Sequence, residues 1–100
     1  MKIVAIGTLR RFWSIHSDAE PALKAWYDEA KSAKWKSPAD IKADYRSASF
    51  LANNRVVFNI RGNRYRLVVS VAYRVGVVFI KFVGTHAEYD RIDAMTVEVA

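Results

Sequence analysis

From Arg55 to Val83 apolar residues recur at every second position, a period that only an extended strand can use to put them all on one side. Val56, Phe58 and Ile60 alternate with Arg55, Val57, Asn59 and Arg61. Tyr65, Leu67, Val69, Val71 and Tyr73 then alternate with Arg64, Arg66, Val68, Ser70 and Ala72. In a third run, Val77 to Val83, the residues Val78, Ile80 and Phe82 interleave with Phe79 and Lys81. Gly62-Asn63 supplies a tight turn between the first two runs, because these residues best tolerate positive φ, and the chain turns again around Arg74 to Gly76. The pattern predicts a three-stranded antiparallel meander with one apolar face, which needs a second layer to cover it.

The rest of the chain offers helices for that layer. Met1 to Gly7 reads as an edge strand, and Thr8 as the cap of a helix from Leu9 to about His16, with Leu9, Phe12, Trp13 and His16 at helical spacing. Ser17 or Asp18 caps a second helix to about Ala33, with Pro21 in its first turn and an apolar stripe of Leu23, Trp26, Tyr27 and Ala30. Trp35 to Phe50 is mixed, Pro38 breaking any long helix and Ala39 to Tyr45 allowing a turn or two. Thr85-His86-Ala87-Glu88 has capping-box spacing and predicts a short helix to about Ile92. The tail from Met95 could add an edge strand or stay mobile. The expected architecture is α+β, one domain over 1–100, with N-terminal helices packed on a mainly antiparallel sheet and a short C-terminal helix.

Register follows from the same pattern. With a turn at Gly62-Asn63, Arg61 lies opposite Arg64, Asn59 opposite Arg66 and Phe58 opposite Leu67, which gathers Val56, Phe58, Ile60, Tyr65, Leu67 and Val69 on one face. On the third strand Val69 is expected to meet Ile80, Leu67 to meet Phe82, and Lys81 to emerge opposite Val68. Asn59, Arg61, Arg64, Arg66 and Lys81 then share the second face. Val57, Val68, Val77 and Phe79 share it too, so another element or a partner must cover part of it.

Charge sharpens this reading. The chain carries a net +6, and residues 45–87 hold seven Lys/Arg with no Asp or Glu, whereas residues 88–100 hold one Arg and four acids. A solvated face normally mixes signs, and Arg61 opposite Arg64 costs something unless an anion sits between them. A basic face of this kind suits a polyanion. The plain alternative is a one-sided sheet whose cations merely keep its wet side soluble.

His86 and Tyr89, three apart in the short helix, project from one side directly after the strand that carries Lys81. An imidazole, a phenol and several cations around a groove suit attack of an RNA 2′-hydroxyl on the adjacent phosphate. That reaction needs a base, an acid and donors for phosphoryl charge. Arg66 can grip phosphate bidentately, Lys81 adds point charge, and Asn59 can orient a base or sugar. His16 and His86 are far apart in sequence, without paired carboxylates at ligand spacing, so neither a metal nor another cofactor is expected; Asp90 and Asp93 beside His86 leave a weak metal site as a minor alternative. There is no cysteine, no nucleotide-binding glycine loop and no G-x-S-x-G elbow, which disfavours thiol chemistry, NTPases and serine hydrolases. Each residue also has an ordinary role: a helix-end polar group for His86, sheet packing for Tyr89, and core anchors for Trp13, Trp26 and Trp35. The apolar start is too short for a signal-peptide core and no run approaches the roughly 20 residues of a membrane span, so a cytoplasmic protein without membrane contact is expected.

The stretch Val57-Phe58-Asn59 leading to Gly62-Asn63, then Arg66, Lys81 and Thr85-His86-Ala87-Glu88-Tyr89-Asp90, resembles the HigB toxins of type II toxin–antitoxin systems, in the wider RelE-like superfamily. Trp35 to Lys42 carries a weaker likeness. The resemblance implies a RelE-like fold and a metal-independent endoribonuclease (an mRNA interferase) that cuts mRNA on the ribosome. It also implies neutralisation by a helix-turn-helix antitoxin, through which alone the protein would meet DNA. By that analogy Arg66, Lys81, His86 and Tyr89 form the catalytic set, and Asn59, Arg61, Arg64 and Arg55 contact RNA. Two other readings use the same residues: a noncatalytic RNA- or ribosome-binding module, and a protein-interaction domain.

Overall fold

The computed structural model describes residues 1–99 in the order β1 (Lys2–Val4), α1 (Ile6–Ile15), a 3-10 turn (Ser17–Ala19), α2 (Glu20–Ser32), α3 (Pro38–Asp44), β2 (Ser49–Leu51), β3 (Arg55–Ile60), β4 (Tyr65–Ala72), β5 (Val77–Thr85) and α4 (His86–Tyr89). The strands form one sheet in the order β1-β5-β4-β3-β2, antiparallel except where β1 runs parallel to β5. This is the expected α+β architecture.

The meander forms as its period requires. Phe58 pairs with Leu67, Asn59 with Arg66 and Ile60 with Tyr65, so the register of β3 and β4 is the expected one. Arg61 and Gly62 take φ of 53° and 66°, and the Arg64 amide closes the turn on the Arg61 carbonyl at 3.3 Å. The third strand departs from expectation. Val69 meets Ile80, but a bulge follows, and Val68 then faces Phe82, Leu67 faces Val83 and Arg66 faces Gly84. One extra residue on β5 shifts every later pair, so Phe82 leaves the core face and stands with Val68 on the other.

On the core face Val56, Phe58, Ile60, Tyr65, Leu67, Val69, Val71, Val78 and Ile80 pack under the helices. Trp26 of α2 meets Phe58 edge-on at 5.5 Å between ring centres, and Trp35 stacks on the same ring at 6.2 Å. Leu9, Leu23 and Ile41 bring α1, α2 and α3 into this core, each fully buried. Burial on this scale is worth about 1.5–3 kcal/mol per large side chain, enough to fix the helix layer on the sheet. His16 stands at the edge of this core, half-buried, its ring 4.5 Å from Phe12 and 5.6 Å from Tyr65.

Three local readings are corrected. Helix α1 starts at Ile6, not after Thr8: Ala5, at φ 74°, makes the turn out of β1, and the Thr8 amide bonds back to the Ala5 carbonyl. A short strand, Ser49–Leu51, extends the sheet beside β3 in the stretch read as mixed. The tail adds no strand among the described residues. Beyond α4 it lies against the sheet face opposite the helices, where Arg55 of β3 bonds the Ala94 and Val97 carbonyls and Lys81 of β5 bonds Glu98. Val57 and Val68, the apolar residues that needed cover on that face, are 4% and 0% exposed.

Candidate nucleic-acid interface

Four features build one end of the open sheet face. Arg66 stands on β4 between Asn59 of β3 and Gly84 of β5. Its guanidinium bonds the Asn63 side chain at 2.6 Å and lies 5.7 Å from the centre of the Tyr89 ring. Tyr89 in turn lies 6.4 Å from Phe82. Gly84 makes room for this arrangement, since a Cβ there would come within 2.5 Å of Phe82 Cζ. A planar cation and two aromatic rings thus share one patch, the composition that favours a phosphate with its neighbouring base.

Helix α4 completes that end. Thr85 accepts a hydrogen bond from the Glu88 amide, and the Glu88 carboxylate accepts one from the Thr85 amide, the expected capping box. The box sets the start of the helix, and the His86 amide bonds the Arg64 carbonyl at 3.2 Å, tying the helix to the β3–β4 turn. The helix is shorter than expected and ends at Tyr89. The His86 side chain is half exposed, with Nδ1 3.2 Å from Asp90 Oδ2. The carboxylate lies on the Nδ1 side of the ring, which leaves Nε2 on the other side for proton transfer.

Lys81, at the bulge, reaches this same face, 5.7 Å from the Phe79 ring and 2.7 Å from Glu98. Beside it Thr8, Arg11, Lys81, Phe82, Val83, Glu98 and Val99 line a cavity of about 340 Å³. A larger cavity of about 750 Å³ lies at the opposite end of β4 and β5, against Tyr73 to Gly76 and Lys34 to Lys36, away from Arg66 and Tyr89. Size does not make it the candidate site: the chemistry-bearing side chains are at the other end.

Three expected RNA contacts are placed elsewhere. Arg61 and Arg64 turn toward the helix layer and share Asp18, at 2.8 and 3.3 Å. The anion that their juxtaposition called for is therefore internal. The Tyr65 hydroxyl donates to the same carboxylate, and with the two guanidiniums it holds Asp18 below the usual carboxylate range. Arg55, 7% exposed, lies buried beneath the tail with its guanidinium turned to Ala94, Val97 and Glu98, so it offers no donor to the open face.

Two acids that matter here escape sequence reasoning: it leaves Glu98 unassigned and reads Asp18, with Ser17, as a helix cap, whereas the 3-10 turn and α2 start without a side-chain cap. Glu98 had a signal: an acidic tail following strands devoid of carboxylates. Lys81 and then Arg55 hydrogen-bond it and hold its carboxyl below the usual range. Among the described residues no three His, Cys, Asp or Glu cluster so as to hold a metal ion, and no helix is long and apolar enough to cross a membrane.

A five-stranded, mostly antiparallel sheet under N-terminal helices, closed by a short C-terminal helix beside a basic face, is the frame of a RelE-like toxin. The HigB toxin family, the RelE-like toxic component of a toxin–antitoxin system, matches residues 19–92, and the chain belongs to that family. A search of curated proteins gave no match. Membership makes the chain the toxic partner of an antitoxin.

Proposed function

We propose that the chain is an endoribonuclease that cleaves mRNA, on the ribosome, by attack of a 2′-hydroxyl on the adjacent phosphate. The observation that carries this reading is Arg66 lying over Tyr89, one helical turn from His86, on an accessible basic face. In the reaction the 2′-oxygen bonds to phosphorus and its proton passes to a base. The bond from phosphorus to the 5′-oxygen breaks, and an acid protonates the departing oxygen. His86 Nε2 and the Tyr89 hydroxyl are the candidate acid and base, Arg66 and Lys81 neutralise charge gathering on the phosphoryl oxygens, and Asn59 helps to place RNA. Arg61 and Arg64, though engaged with Asp18, remain exposed at the rim and add to the attractive field. The protein acts in the cytoplasm, and its antitoxin is a helix-turn-helix protein.

Expression of the chain alone is expected to arrest growth. Arg66→Ala and His86→Ala should each relieve the arrest while retaining folded circular dichroism and melting temperature. Persistent toxicity in both folded variants contradicts the proposal.

A further inference from the structure

The tail covers part of the face that the proposed function assigns to RNA. Its main-chain carbonyls at Ala94 and Val97 accept from the buried Arg55 guanidinium at 3.1 and 2.6 Å. Glu98 bridges two strands, accepting from Arg55 on β3 and from Lys81 on β5. It thus presents oxygens to a guanidinium and an ammonium together, as a phosphodiester would. Lys81, a candidate for phosphoryl-charge neutralisation, is already occupied by this carboxylate. Apart from short turn bonds at Asp93 to Val97, the segment has no helix or strand of its own, and its attachment is mostly through the basic face. The charge partition agrees: the acids absent from residues 45–87 reappear in residues 88–100.

We propose that residues 93–99 form an autoinhibitory strap that competes with RNA for the basic face, Glu98 occupying at Lys81 the place a phosphate takes when RNA binds. This rests on the reading of the face as an RNA site. RNA entry shifts Glu98 off Lys81, and the strap loosens from its outer end as far as Val97 while Arg55 keeps its hold on Ala94. The strap therefore sets a threshold that weak, nonspecific RNA does not cross.

The test is binding of a fluorescein-labelled 12-nucleotide 2′-O-methyl RNA, which cannot be cut by 2′-hydroxyl attack, to the full chain. Glu98→Gln, which keeps shape and removes charge, is expected to tighten binding about fivefold relative to Asp28→Asn, which makes the same change in net charge on α2; exposed charge contacts commonly have effects of this size. In a Lys81→Gln background the gain from Glu98→Gln should largely vanish. Amide exchange gives a second readout on the unsubstituted chain: saturating RNA should speed exchange at Val97, whose amide bonds the Asp93 carbonyl at 2.9 Å. Equal affinities of Glu98→Gln and Asp28→Asn, or slower exchange at Val97, overturn the strap while leaving the RNA site standing if Arg66→Gln still weakens binding. No binding by any form, or binding indifferent to Arg66→Gln, overturns the RNA site and the strap with it.

Discussion

Replacing Arg55 with leucine separates two roles for this residue by their opposite signatures. An RNA-contacting arginine loses affinity when replaced and leaves stability nearly alone. The buried Arg55 instead anchors the tail through hydrogen bonds of 3.1 and 2.6 Å to the Ala94 and Val97 carbonyls. Hydrogen bonds from a charged donor are worth roughly 1.5–3 kcal/mol each, and the lower figure applies because the freed carbonyls can regain water. Two such bonds give about 3 kcal/mol, of which a buried leucine recovers roughly 1 kcal/mol. The expected loss of about 2 kcal/mol corresponds to a fall in melting temperature of roughly 8–16 °C for a domain of this size. Urea denaturation measures the loss, and limited proteolysis should find residues 93–99 newly susceptible. A melting temperature within about 2 °C of the parent, together with weakened RNA binding, would refute the anchoring role.

Three further outcomes follow from the same contacts. Asp18 and Glu98 both have carboxyls held below their ordinary values of 3.8 and 4.5, so each adds stability that is fully present above those values and lost as pH falls through the lowered ones. Melting temperature should therefore drop as pH falls below about 4.5, and drop less in Asp18→Asn and Glu98→Gln; identical acid profiles in all three proteins would show that these carboxylates do not matter. Gly84→Ala should displace the Phe82 ring from beside Tyr89, at a stability cost of about 1–3 kcal/mol, and weaken RNA binding without changing charge; unaltered binding would remove the aromatic patch from the site. The double change Arg61→Glu, Arg64→Glu sets two more carboxylates against Asp18, so melting temperature should fall by more than the change in net charge explains, as the analogous pair Arg10→Glu, Arg11→Glu on α1 will show.

Much of this arrangement was legible because the period-two run leaves few choices. Val56, Phe58 and Ile60 share a face with Tyr65, Leu67 and Val69 only in registers two residues apart, and the turn at Gly62-Asn63 selects the one that places Asn59 opposite Arg66. The Thr85–Glu88 capping box likewise announced α4 and the spacing of His86 and Tyr89. The bulge before Phe82 was hidden, since inserting one residue leaves the local alternation looking intact and only the partner strand reveals the shift. The roles of Arg55, Arg61 and Arg64 were hidden for a different reason. Their counter-ions, Glu98 and Asp18, lie more than forty residues away in the chain, and a local charge pattern cannot report on distant partners. The uncovered valines 57 and 68 did signal that something must lie over that face, and both are buried on the side where the tail bonds Arg55 and Lys81.

The central claim is that Arg66, His86 and Tyr89 act together on a ribonucleotide phosphate. Its most direct measurement is the end chemistry of mRNA cut in the presence of ribosomes. The account predicts a 2′,3′-cyclic phosphate on the upstream fragment and a free 5′-hydroxyl on the downstream one. Cleavage should be lost when the scissile nucleotide is 2′-deoxy, and slowed at least a hundredfold in Arg66→Ala, His86→Ala and Tyr89→Phe. A 5′-phosphate product, or unimpaired cutting by these three variants in folded form, contradicts it.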